Sequence, residues 1–139
     1  KKGLKKKLKN IGTPVDFAVR VNGKRKELLL EDFPNEFEIF DIGSRTINKY
    51  IKEIKKAPAI FMKGPAGDCS KREFCKGSFS ILRAVSKNKG FSLIGGGHLS
   101  DAVEKCRINK RKFGYISLSG GALLSYIAGE KLPGLEVLK

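Results

Sequence analysis

Three short apolar runs, Ala59 to Met62, Phe91 to Ile94 and Tyr115 to Leu118, punctuate the second half of the chain, and each ends in glycines. After each run the apolar residues change rhythm and recur three and four apart, the spacing of one helix face. The first run passes through Lys63 to Gly67 (KGPAG) into a helix from about Lys71, with Phe74, Ser78, Ile81, Leu82 and Val85 on one face and Lys76, Arg83 and Lys87 outside it. The second passes through Gly95, Gly96 and Gly97 into a helix with Leu99, Ala102, Val103 and Cys106 on its apolar side, and Gly90 closes the helix before it. The third passes through Ser119, Gly120 and Gly121 into Ala122 to Ala128, with Leu123, Tyr126 and Ile127 expected inward and Pro133 and Gly134 ending the element. Strands alternating with helices predict right-handed crossovers and an α/β fold with a mainly parallel sheet. All three glycine turns then lie along one edge, at the carboxyl ends of the strands, where such sheets bind ligands.

The first half of the chain reads differently. Lys1 to Asn10 carries only Leu4 and Leu8 on a thin apolar stripe, as a solvated helix end would, and Gly12 stops it. Val15 to Val21 alternates as a strand, Asn22 and Gly23 supply a turn, and Glu27 to Leu30 is a candidate hairpin partner. Phe37 to Ile42 is a further strand ending at Gly43. Ser44 or Thr46 is then placed to cap a helix with Ile47, Tyr50, Ile51 and Ile54 on its apolar face, which Ala57 and Pro58 end.

Composition narrows the possibilities. With 139 residues, 40% of them apolar, the chain has enough material for one domain with a core between a sheet and helical layers. The formal charge of +15 suggests affinity for polyanions, but the cations are spread over helix ends and connections such as Arg107 to Lys112. The aromatics are mainly Phe inside apolar runs, so no RNA-type aromatic motif accompanies the charge, and a basic nucleic-acid-binding protein is the least favoured reading. There is no apolar run of membrane-span length and no apolar signal segment, so a cytoplasmic protein without a membrane partner is expected. The chain opens on lysines rather than Met, which suggests a fragment of something longer. Cys69, Cys75 and Cys106 are odd in number and lack CxxC spacing, so neither a disulfide framework nor a zinc site is indicated, and reduced core thiols are expected.

The glycine turns carry the candidate chemistry. A strand turning through glycines into a helix leaves the first backbone amides unpaired, and these favour an anion such as phosphate. Glycine leaves room for close approach and tolerates positive φ. Many turns of this kind bind nothing, so the turns alone leave a structural role equally open.

The order of motifs is more specific than any one of them. PVDFAV at Pro14 to Val19, DIGSRT at Asp41 to Thr46, KGPAG at Lys63 to Gly67, LIGGGH and DAVEK at Leu93 to Lys105, SGGAL at Ser119 to Leu123 and EKLPGLE at Glu130 to Glu136 resemble, in sequence, phosphoglycerate kinase of the archaeal type. The resemblance implies that 1–13 is a basic helix end and 14–139 a partial C-terminal nucleotide-binding domain, Rossmann-like and three-layered, without the phosphoglycerate-binding domain. It implies transfer of a phosphoryl group between 1,3-bisphosphoglycerate and ADP with Mg2+, with the fragment itself inactive. The alternative is a non-catalytic module that binds a nucleotide or anion. Carried over residue by residue, Ile39 and Phe40 lie beside the adenine, and Gly64, Pro65 and Gly67 form a turn near the nucleotide. Gly95, Gly96, Gly97, His98 and Leu99 form the turn at its phosphates. Ser119, Gly120 and Gly121 open the helix facing the transferred phosphoryl group, and the backbone amides of Gly97, Gly120 and Gly121 are the implied catalytic donors. In this chain Lys63 stands where most members have Asn, Ser70 where a Glu commonly holds the ribose, and Ser119 where the last turn has its first glycine. His98 replaces an Asp that many members offer to Mg2+, and no metal ligand is assigned. A helix start favours a neutral imidazole that donates to a phosphate or caps the helix, leaving Mg2+ to nucleotide phosphates and water.

Overall fold

The structure, a computed structural model, describes residues 10–138, so the predicted helix end at Lys1 to Asn10 lies almost wholly outside the described residues. Among the described residues six strands form two three-stranded sheets. In the first, β1 (Asp16–Val21) is flanked by β2 (Lys24–Leu29) and β3 (Ile39–Ile42), both antiparallel to it. The expected hairpin is there, with Asn22 at φ 49° and Gly23 at φ 74° in the turn. The second sheet is parallel and orders β4 (Ala59–Lys63), β5 (Phe91–Gly95) and β6 (Tyr115–Ser117) side by side.

Helix α1 (Ser44–Lys56) joins the two sheets, α2 (Lys76–Val85) links β4 to β5, and α3 (Gly97–Lys105) links β5 to β6. After β6 come α4 (Gly121–Ile127) and the short α5 (Pro133–Glu136). The three strand, glycine turn and helix units therefore stand as the apolar rhythm predicts. The main core lies between one face of the parallel sheet and α1 to α3, where Ile47, Leu82, Val85, Ile94, Leu99 and Val103 are buried, and Ile60, Met62 and Ile116 point down onto them. The alternate residues of the same strands face away: Phe91 and Tyr115 are each 60% exposed.

Three local expectations change. Tyr126 and Ile127 of α4 are exposed rather than inward, while Leu123, half-buried, approaches Gly95. Pro133 opens α5 at its first turn, and Gly129, at φ 80°, is the residue that ends α4. The cysteines also differ: Cys69 is bonded to Cys75 in the connection before α2, and only Cys106 is a buried free thiol. Six residues apart within one loop, that pair has no spacing signature to announce it.

Carboxylates, of which Asp16 and Asp41 are buried, bind the antiparallel sheet to the helices. Helix α1 is not capped by Ser44 or Thr46; instead Asp16 of β1 accepts from the amides of Arg45 (2.8 Å) and Thr46 (2.7 Å) and from the Thr46 hydroxyl. Glu27 of β2 accepts from the Ser44 amide at 2.9 Å. Partial burial pushes the Glu27 carboxyl up, but hydrogen bonds from Ser44 and Arg25 outweigh it and hold the group below its usual range. Asp41, at the inner end of β3, accepts from Arg25 Nη1 (2.8 Å) and from the amide of Gly77 in α2 (2.9 Å). Burial pushes its carboxyl up by more than these contacts pull it down. Gly77 has no alternative here, since a Cβ would collide with the Asp41 carboxylate.

Candidate functional site

The three glycine turns meet because their strands end level: Lys63 lies opposite Gly95, and Gly95 opposite Ser117. Backbone bonds continue across the turns, with the Gly64 amide donating to the Gly95 carbonyl (3.3 Å) and the Gly96 amide to the Ser117 carbonyl (2.9 Å). Gly96 sits at φ 105°, a conformation that requires glycine, and its carbonyl accepts from the amides of Leu99 and Ser100 to start α3. The amides of Gly97 and His98 that follow have no acceptor among the described residues. They stand at the positive end of a nine-residue helix, so the local field and the unpaired donors both favour an anion.

The third turn closes on the second. A Cβ built on Gly120 would lie 3.6 Å from the Cα of Gly96, so the two turns touch along their backbones. Ser117 Oγ accepts from the Ser119 amide at 3.1 Å and shapes the approach to α4. Gly97 and Gly121 both face open space. The structure thus brings Gly96, Gly97, Gly120 and Gly121 around one opening. Gly95 is buried beneath it and serves the ladder. Leu99 does not reach the opening: its side chain is fully buried in the core and its amide is taken by Gly96.

The remaining predicted positions, Gly64 excepted, line two hollows on either side of the loop Gly64 to Ser70. Ile39, Phe40, Pro65, Gly67 and Asp68 line one of about 480 Å3. Pro65, Gly67, Asp68, Ser70 and His98 line the other, of about 300 Å3, with Asp101 and Lys105 opposite. Phe40 is more crowded than its sequence position suggests. The Arg20 guanidinium lies 4.3 Å from its ring centroid, the Lys71 ammonium 4.8 Å, and the Phe74 ring packs beside it. Ser70 does not cap a helix; its hydroxyl and amide both donate to Asp68, at 2.6 Å and 3.0 Å, and hold that carboxyl below its usual range. The Cys69–Cys75 bond staples the same loop, and Lys105 Nζ donates to the Cys69 carbonyl at 3.2 Å. His98 is exposed at the second position of α3 with its ring hydrogen-bonded to nothing among the described residues. A larger cavity of about 690 Å3 between α1 and α2 lies by the amino ends of β4 and β5, and none of the predicted site residues lines it.

Asp68 is a feature of the site that residue patterns did not single out, and Lys63 stood out only as the residue found where most members of the resembled family have Asn. Asp68 stands in the wall shared by both hollows. The only trace of its role in the sequence is an acid two positions before a serine, a common turn pair. Lys63 ends β4 and sends its Cε to 3.7 Å from the Gly120 Cβ position.

Comparison with known proteins gives a consistent result. The sequence model of the phosphoglycerate kinase family matches residues 1–130. The chain is 43% identical to the phosphoglycerate kinase of Methanothermus fervidus over 98% of its own length and 34% of that protein's. It is likewise 43% identical to that of Pyrococcus furiosus, covering 93% of this chain and 32% of the relative. Among solved structures, phosphoglycerate kinase from Pyrococcus horikoshii superposes with a TM-score of 0.84 at 38% identity, over 99% of this chain and 35% of that one. The enzyme from Coxiella burnetii gives a TM-score of 0.85 at 27% identity, over 99% of this chain and 36% of that one. The chain therefore spans about a third of the length of the relatives it matches.

Proposed function

The chain belongs to the phosphoglycerate kinase family, and on that premise we propose that it is the part of such an enzyme that binds the nucleotide and presents its terminal phosphate. The observation that carries this reading is the joined pair of glycine turns, with the unpaired amides of Gly97 and His98 opening between them. In the overall reaction a phosphoryl group leaves the acyl phosphate of 1,3-bisphosphoglycerate, and a terminal phosphate oxygen of ADP takes it. The products are ATP and the carboxylate of 3-phosphoglycerate. Such a transfer needs little covalent help and gains most from donors fixed around the phosphoryl oxygens.

Each group has a part. The amides of Gly97, His98, Gly120 and Gly121 hold phosphate oxygens. The hollow beside Ile39 and Gly67 takes the base, with Phe40, braced by the Arg20 guanidinium, in its wall. Asp68, backed by Ser70, offers a carboxylate to the sugar hydroxyls. Mg2+ bound with the nucleotide would neutralise phosphate charge; among the described residues no group of three His, Cys, Asp or Glu side chains is placed to hold it. The other substrate is held by parts of the polypeptide outside this chain, and both substrates must be positioned for turnover.

Calorimetric titration of the intact polypeptide with ADP tests the reading. Gly97→Val and Gly121→Val add bulk where the protein itself has nothing within 4 Å. Both should therefore weaken ADP by at least about tenfold without loss of fold, whereas Gly129→Ala, at the end of α4, should leave affinity unchanged. Native ADP affinity in both valine variants would refute the site.

A further inference from the structure

The fold delivers Lys63 to the meeting point of the glycine turns. It is the last residue of β4 and lies opposite Gly95 in the ladder. The Cβ position of Gly120 is 3.6 Å from Gly96 Cα and 3.7 Å from Lys63 Cε, so the lysine stem, the β5 turn and the β6 turn converge on one point. Among the described residues Lys63 takes part in none of the ion pairs, as is true of most lysines here, so it is its position at the turns that sets it apart. The end of its stem thus lies by the two turns from which the Gly97 and His98 amides, also without acceptors, open.

We infer that Lys63 is a phosphate-binding residue of this site: its ammonium donates to the terminal phosphate of the nucleoside diphosphate and makes affinity depend on the number of phosphates. The inference rests on the nucleotide reading above and goes beyond it. The two kinds of donor do different work. Backbone amides are fixed by the fold and define where oxygens sit, whereas an ammonium on a four-carbon stem carries full charge and can follow an oxygen over a short path. A phosphoryl group that changes partners needs both. Glycine at 96 and 120 keeps the stem clear of side chains, so the charge reaches the opening across backbone alone.

The test is calorimetry on the intact polypeptide with ADP and AMP, comparing native protein, Lys63→Met, Lys63→Arg and Gly97→Val. Removing one charge-assisted phosphate contact should weaken ADP by about tenfold to a hundredfold and AMP by less than about threefold, with Lys63→Arg restoring most of the ADP affinity. The unfolding temperature of Lys63→Met should match the native value, since the side chain is exposed and unpaired. Equal losses for ADP and AMP, or native ADP affinity in Lys63→Met while Gly97→Val loses it, would overturn the role of Lys63 and leave the glycine cradle standing. Native ADP affinity in both variants would overturn the nucleotide reading itself.

Discussion

The antiparallel sheet is fastened to the helices by buried carboxylates, whereas the parallel sheet is fastened to them by aliphatic contact. Helix α1 belongs to both systems: Thr46 turns to Asp16 of the first sheet and the adjacent Ile47 turns into the core over the second. The difference lies in what each attachment demands. An aliphatic core tolerates small shifts so long as volume is kept, but a carboxylate that caps a helix and pairs with Arg25 is satisfied in one geometry only. The polar seam thus sets where α1 and α2 start relative to β1 and β3, and the core supplies most of the stabilisation that holds the turns of β4 to β6 in line.

Breaking the polar seam at its most buried point should have the largest effect. Asp41→Ala leaves the Gly77 amide without its acceptor and Arg25 with Glu27 as its one remaining carboxylate, at a cost of about 3–5 kcal/mol in denaturant unfolding. Adding Arg25→Met should recover part of that loss; if the double variant is as unstable as the single one, the stranded amide and not the charge is responsible. Leu82→Ala attacks the apolar system instead. The side chain is fully buried between α2 and its neighbours, and about 2–5 kcal/mol should be lost through the lost burial and the cavity left behind, with no change in the pH dependence of stability. Glu27→Gln is the mildest test, about 1 kcal/mol or less because the carboxylate is partly exposed. Its folded-state pKa is held below the ordinary 4.5. The native contribution is therefore complete above that value and is lost as pH falls through the folded pKa, so the variant should flatten stability curves only below about pH 5. A difference between the two proteins that instead grew toward neutral pH would mean that Glu27 does not cap α1.

The contrast also marks what a reader of the sequence can see. The parallel sheet was legible because its apolar runs, glycines and helix faces are local patterns, each complete within about twenty residues. The seam was not, since Asp16 meets Thr46 across 30 positions and Arg25 meets Asp41 across 16, and nothing near Asp16 announces a helix cap. The inward face expected for α4 failed for a related reason. Leu123, Tyr126 and Ile127 have helical spacing, but spacing says nothing about whether a partner layer is present. At the site, the glycines identified themselves by strand and helix context. Lys63 and Asp68 acquire meaning only from neighbours on other strands and loops, and the bond between Cys69 and Cys75 follows from a loop path that residue spacing does not encode.

The ladder bonds that run past the strand ends, from Gly64 to Gly95 and from Gly96 to Ser117, have a consequence for how a ligand is received. Glycine loops ordinarily sample many conformations and must give up that freedom when something docks. Here the freedom is already gone, because the second turn is tied to the turn before it and to the strand after it by main-chain bonds that form as the sheet forms. On the nucleotide reading proposed above, a phosphate would meet donors whose positions are set as the sheet folds, and little configurational entropy would be lost on association. The cradle behaves thermodynamically as an extension of the sheet rather than as a set of loops.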